Sequence, residues 1–207
     1  QAEGADIIDI GAESSRPGAQ PIDETEELRR LLPVLEAVHD AVPLPISVDT
    51  TKAAVARRAI RAGATIVNDI SALRGDPLMG QLVAETGAAV VLMHMQGTPQ
   101  SMQQAPRYGH VVEEVLAFLR ERVQVAIAHG IKGSQIVLDP GFGFGKLQEH
   151  NLQLLADFDA FTKLGYPVRG GVSRKQFIGT LPQQPVQQRG YGTAGAVAVA
   201  VLKGARI

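Results

Sequence analysis

An α/β barrel of the (β/α)8 type is the fold this sequence predicts, on three observations. Short apolar runs alternate with longer amphipathic stretches along all 207 residues, with no low-complexity linker and no composition break. The runs are close to continuously apolar, as parallel strands covered on both faces must be. Each strong run stops at a polar residue: Asp9, Asp49, Asn68, His94, Asp139, and Ser173 with Lys175. In a barrel the C-terminal strand ends converge on one face, where active sites sit. An open doubly wound sheet gathers its ligand groups at one switch point instead. A full barrel takes about 250 residues. The first strand and the end of the eighth are therefore expected beyond the two ends, leaving residues 1–207 as a single, incomplete barrel domain.

The elements follow in order. Gln1-Ala2-Glu3-Gly4 reads as a helix tail and its glycine stop, and Ile7–Ile10 as the first apolar run. Asp23 and Glu26 have the spacing of a capping box, after which Leu28, Leu31, Leu32, Leu35 and Val38 share one helical face. Pro33 lies inside that pattern and predicts a kink or an early turn. Further strands are expected at Pro45–Val48, Thr65–Val67, Ala88–Met93 and Ile136–Leu138, with a weaker run from Val168 to Val172. Asp76-Pro77 reads as an N-cap with proline at the first helical position. Val112, Val115, Leu116, Leu119, Val123 and Ile127 make a stripe that Gly130 ends, and Leu152, Leu155 and Phe158 make another. Ala194–Leu202 suits a closely packed helix. The chain should end as a strand is entered, after Lys203-Gly204.

Bulk properties narrow the function. Twenty basic residues against 21 acidic give a net charge of −1, with no basic field for nucleic acid. There is no cysteine, which rules out disulfides and thiolate metal sites and fits a reducing, cytoplasmic setting. No apolar run approaches the roughly 18 residues of a membrane span, and no basic-then-apolar leader opens the chain.

The segment Leu138-Asp139-Pro140-Gly141-Phe142-Gly143-Phe144-Gly145-Lys146 carries the strongest chemical signal. Glycines let backbone approach a ligand closely, the phenylalanines offer flat faces, and the acid can hold a polar edge. Together they suit a flat, polar-edged heterocycle. The segment is not a P-loop, because Pro140 and Leu147 stand where a glycine and a Mg²⁺-binding hydroxyl are needed. Lys146 likewise breaks a dinucleotide fingerprint.

Ser14-Ser15-Arg16-Pro17-Gly18 makes an anion-friendly turn, since arginine grips phosphate bidentately. Asp49 and Asn68 can together read a donor–acceptor edge, while Thr50 and Asp69 are the better capping candidates. Met93-His94-Met95 reads as pocket wall rather than catalyst or metal ligand. Lys175 in Ser173-Arg174-Lys175 is placed to hold a carbonyl or buffer a leaving anion. His39, His110, His129 and His150 are assigned no chemistry.

Taken together, Gly4–Gly18, Ser47–Thr50, Asn68–Ile70, Met93–Met95, the 138–146 segment and Ser173–Lys175 resemble the bacterial dihydropteroate synthases, in that family's order along the whole chain. The resemblance implies a folate-biosynthesis transferase that joins p-aminobenzoate to 6-hydroxymethyl-7,8-dihydropterin diphosphate and releases pyrophosphate. It implies Mg²⁺ on the diphosphate, sulfonamides as p-aminobenzoate mimics, and a homodimer. Asp49, Asn68, Asp139, Lys175, Met93 and Gly171 would then line the pterin, and Ser15, Arg16, Pro17, Phe144 and Ser173 the p-aminobenzoate side. Lys175, Asp139 and Arg16 would carry the catalysis, with Asp9 beneath the arginine loop.

There are departures. Ser15 stands where the family commonly has threonine, and Arg169-Gly170 puts arginine and glycine in a run expected to be buried strand. The family's first-strand asparagine and its Arg-x-His segment, which serve Mg²⁺ and pyrophosphate, are expected beyond the ends. No metal ligand is therefore expected within the chain, and little catalysis from these residues alone. The rival is a pterin-binding barrel without synthase activity, either an inactive homologue or a relative of the methyltetrahydrofolate–corrinoid methyltransferases.

Overall fold

A computed structural model describes residues 4–180 and 183–207. The expected helix tail at Gln1–Glu3 lies outside the described residues. The strands are β1 (Ile8–Gly11), β2 (Ile46–Asp49), β3 (Ile66–Asp69), β4 (Ala89–Met93) and β5 (Ile136–Asp139). The helices are α1 (Glu24–Ala41), α2 (Ala53–Arg61), α3 (Met79–Thr86), α4 (Val111–Ala128), α5 (Gln148–Ala156), α6 (Asp159–Thr162), α7 (Gln176–Thr180) and α8 (Gly190–Leu202). Strands are hydrogen-bonded in the order β1-β2-β3-β4-β5. Each new strand thus adds beside the last, and no reversal creates the switch point of a doubly wound sheet. This is the strand order of the predicted barrel class.

The chain forms two compact units, Gln1–Leu92 with Arg122–Ile136, and Met93–Glu121 with Val137–Ile207. In the first unit the parallel register sets Gly11 opposite Asp49 and Asp49 opposite Asn68, so strand-end polar residues stand side by side. Ile46, Val48, Val67 and Val90 are fully buried, as the apolar runs require. In α1, Leu31 and Leu35 point into the core. Asp23 accepts from the Glu26 N–H, but the Glu26 carboxylate turns to Arg29 and Arg30, so only half of the capping box forms. These arginines hold the Glu26 carboxyl well down, at about 2.

Pro33 neither ends α1 nor makes an early turn. It sits on the exposed face, where the carbonyl it leaves without a donor meets water. Asp76 opens a turn before α3 instead of capping the helix directly, accepting from Leu78 N–H (2.9 Å). Its other oxygen accepts from Ala53 N–H (2.9 Å) at the start of α2. One carboxylate thereby serves the entries to two helices.

Two predicted stripes are corrected. The buried line of α4 runs through Val111, Val115, Leu119, Val123 and Ala126, and Ile127 is 46% exposed. On α5 the inward residues are Asn151 and Leu154, with Phe158 following the helix, and Leu152 faces out. In both cases the apolar residue chosen lies one position away from the inward face. Gly130 does end α4, at φ 90°. The packing expected of α8 holds on one face only: Ala196 and Ala200 are buried, whereas Tyr191, Val197, Val201 and Leu202 are exposed.

The weak run at Val168 forms an isolated parallel bridge to Leu138, not a strand of its own. Leu138 N–H donates to Pro167 O and Arg169 N–H to Leu138 O. On the other side Arg206 N–H donates to Val168 O, and Gly170 N–H to Ile207 O. Arg169 is not buried in a hydrophobic layer. Its Nε lies 3.8 Å from Asp139 Oδ2, so the misgiving about an arginine here is answered by an acid beside it.

Candidate functional site

Unit one carries the arginine loop and the acid–amide pair. Ala19 N–H donates to Arg16 O, closing a turn with Pro17 and Gly18 at its centre. Gly18 has φ 77°, as the third position of a type II turn demands. Arg16 is exposed and Ser15 half-buried. Asn68 is buried and donates from Nδ2 to Asp9 Oδ2 (3.1 Å), and Asp49 is half-buried beside it in register.

An ion network anchors the arginine loop. Glu13, just before it, accepts Ile22 N–H (2.9 Å) and pairs with Lys52 Nζ (2.7 Å). Lys52 also reaches Glu27, which is completely buried on α1 and accepts the Thr50 hydroxyl (2.6 Å). Burial would depress the Lys52 ammonium, but Glu13 and Glu27 outweigh it and raise it above its ordinary value.

Thr50 also accepts Lys52 N–H (3.3 Å) in the turn before α2, but it does not cap the helix as expected, because Lys52 holds the N-cap position. Asp69 is used differently from a helix cap. Fully buried, it accepts Ser71 N–H, Ser71 Oγ and Leu73 N–H, and so fixes a turn in which Ala72 and Leu73 have positive φ. Burial raises its carboxyl, against those hydrogen bonds.

Unit two brings together Met93, Asp139, Phe144, Gly171 and Lys175. Asp139 is 4% exposed, and its Oδ1 accepts Gly141 N–H (2.7 Å). A Cβ on Gly171 would lie 3.6 Å from Asp139 Oδ2, so Gly171 stands directly against the carboxylate, whose Oδ2 also has Arg169 Nε at 3.8 Å. Lys175 Nζ stands 4.3 Å above the Phe144 ring, a cation–π contact. Met93 is buried, next to Gly141. Ser173 is exposed, and the adjoining Arg174 has φ 51° with its N–H donated to Thr193 Oγ1.

The glycine–phenylalanine segment differs from its first reading. Gly141, Gly143 and Gly145 all have positive φ. Gly141 and Gly145 approach the backbone of His94 and Gln96, not open space for a ligand. A Cβ at Gly141 would overlap the His94 carbonyl oxygen. Phe142 is a core residue, stacked on Phe158 and Phe177 at 6.2 and 5.8 Å. That leaves Phe144 as the ring available to a ligand.

His94 and Lys146 form a pair that sequence reasoning missed. His94 is buried, its ring edge-on to Phe118 at 4.8 Å and its Nδ1 2.9 Å from Lys146 Nζ. Burial pushes the Lys146 ammonium down to about 7; the Asp139 charge opposes the fall and the Lys175 charge adds to it. An unfolded lysine titrates near 10.5. Between these values the unfolded chain holds a proton the folded chain has shed, so this group's contribution to stability improves as pH rises. Below the lower value both states are protonated and the burial cost is fully present. Urea unfolding of wild type and Lys146→Met is the measurement. Wild type should gain on the variant between about pH 6.5 and pH 9, and a constant difference would contradict the assignment.

Among the described residues no three of His, Asp and Glu converge as metal ligands. Among the described residues no helix is long and apolar enough to cross a membrane.

The parallel βα repeat is that of an α/β barrel class rich in enzymes, and residues 1–207 match the family described as pterin binding enzymes. The dihydropteroate synthase of Haemophilus influenzae is 47% identical over 205 residues, covering 99% of this chain and 74% of that protein. A solved structure of the Yersinia pestis dihydropteroate synthase with a sulfonamide drug is 42% identical at a TM-score of 0.96, covering 100% of this chain and 74% of that one. The Xanthomonas albilineans dihydropteroate synthase with 4-aminobenzoic acid is 46% identical at a TM-score of 0.93, covering 99% and 72%. The chain belongs to the dihydropteroate synthase family, a family of transferases. The alternative of a pterin-binding barrel without synthase activity is not favoured, because these relatives are synthases.

Proposed function

We propose that this chain catalyses the condensation of 6-hydroxymethyl-7,8-dihydropterin diphosphate with p-aminobenzoate, giving 7,8-dihydropteroate and pyrophosphate. The observation that carries the reading is the buried Asp139 beside Gly171 in a unit that also holds Lys175 against Phe144. A buried carboxylate suits the donor edge of a pterin. By the resemblance to the family, Asp49 and Asn68 bring acceptor and donor groups to the pterin, and Met93 an apolar wall. Ser15, Arg16, Pro17, Phe144 and Ser173 serve the arylamine side.

The C–O bond between the pterin methylene and the diphosphate breaks, and its electron pair leaves with pyrophosphate. Positive charge grows on the methylene, which the electron-rich pterin delocalises while Asp139 holds its N–H groups. Negative charge grows on the leaving oxygen, where Arg16 and Lys175 stabilise it. The arylamine nitrogen then bonds to the methylene and loses a proton. Aniline-type nitrogen is nucleophilic when neutral, so no strong base is needed.

Mg²⁺ enters as part of the diphosphate substrate, and no group of this chain is assigned to it. Residues 1–207 act as one pterin-binding domain, in a cytoplasmic homodimer. The test is to mix the full-length protein with both substrates. Dihydropteroate and pyrophosphate should appear in equal amounts, and a sulfonamide should compete with p-aminobenzoate. Failure to form product would remove the proposal, and a single-subunit mass in solution would remove the dimer.

A further inference from the structure

We infer that Lys146 is a positioning residue for the pterin end of the site: its side chain locks the turn that aims the Asp139 carboxylate. The inference rests on the assignment of Asp139 to the pterin edge. Lys146 is 4% exposed, and its amine is taken up by acceptors of the protein itself. Its Nζ lies 2.9 Å from Gly141 O, 3.0 Å from Phe144 O and 3.3 Å from His94 O, besides the 2.9 Å contact with His94 Nδ1. The segment folds back around its own lysine, much as a loop wraps a bound cation.

Two hydrogen-bonded routes join this amine to Asp139. In the first, Asp139 Oδ1 accepts Gly141 N–H, while Gly141 O accepts from Lys146. In the second, Asp139 O accepts His94 N–H (3.0 Å), while His94 O and its ring hold Lys146. The first route fixes the side chain of Asp139 and the second fixes its backbone. The third acceptor, Phe144 O, belongs to the residue whose ring lies beneath Lys175.

Without Lys146, three buried or half-buried carbonyls lose a donor, Gly141 O keeping only the Phe144 N–H (3.1 Å), and a buried acceptor that loses a hydrogen bond is costly. The cheapest relief is a change of the dihedral angles at Gly141, which turns its C=O and its N–H against each other and which glycine resists least. That rotation withdraws the Gly141 N–H from Asp139. The carboxylate is then free to turn from its set direction, and the loss falls on the substrate whose edge it holds.

The experiment measures both KM values in full-length wild type, Lys146→Met and Lys146→Gln, with thermal unfolding of each. Lys146→Met should raise KM for the dihydropterin diphosphate about tenfold, the scale of one lost charged hydrogen bond. KM for p-aminobenzoate should stay within about twofold. Lys146→Gln, which keeps one amide donor, should recover part of the pterin KM. Unchanged KM values, or equal rises in both, would overturn the inference, as would loss of fold in both variants, since Lys146 would then serve stability alone. An inactive wild type would instead overturn the proposed reaction on which it rests.

Discussion

Replacing Lys175 with alanine is expected to lower kcat/KM by about 10²–10³-fold, the usual cost of removing one group aimed at developing negative charge. The lysine is well suited to that work. It is half-buried, and its ammonium stands over the Phe144 ring at 4.3 Å, which limits its search of conformations. Gly143 leaves room for it: a Cβ there would lie 3.3 Å from the Lys175 Cδ. Arginine at this position would lengthen the side chain and spread the charge into a planar fork, so Lys175→Arg should restore little. Steady-state kinetics of the full-length protein, with circular dichroism to establish the fold, is the check. A folded Lys175→Ala enzyme within threefold of wild type would exclude this residue from the site.

The largest stability effect should come from Lys52→Met, at roughly 3 kcal/mol, because it strips the partner from a fully buried Glu27. The Lys52 side chain is 27% exposed, which places the expected cost at the lower end for such pairs. Thr50 would still donate one hydrogen bond to Glu27, and this is too little to offset an uncompensated buried charge. Pairing the substitution with Glu27→Leu should recover stability to within about 1 kcal/mol, since a packed apolar pair often replaces a buried ion pair without loss. Urea unfolding of the single and double variants measures both. If Lys52→Met alone is neutral, the Glu27 carboxyl is not held as an ion. The same substitution frees Glu13 from Lys52, so Arg16 loses part of the anchoring of its loop.

The strand ends were legible because they are written locally. An apolar run that stops at Asp9, Asp49, Asn68, His94 or Asp139 carries its own signal, and β1 to β5 end at or within two residues of these positions. The Pro17-Gly18 turn is equally local: proline presets one dihedral angle and glycine permits the next. Errors arose where one residue of displacement decides the face. Ile127 and Leu152 are apolar and helical, yet they point outward because Ala126 and Asn151 hold the inward positions. Pro33 makes no early turn, since on its exposed face α1 continues through it.

By itself, the sequence determined the parallel βα class, the order of its elements and the polar residues that close its strands, because each rests on contacts between near neighbours in the chain. Only the tertiary structure decided which of those residues work together. Phe142 and Phe144 are two positions apart in one motif, but one is packed into an aromatic core and the other lies beneath a lysine. Lys146 resembled the end of a loop until His94, 52 residues earlier, was found against it. Lys52 meets Glu13 and Glu27 across 39 and 25 residues. Burial and charge pairing are properties of neighbours in space, and no local period in the chain records which distant residue will fill that space.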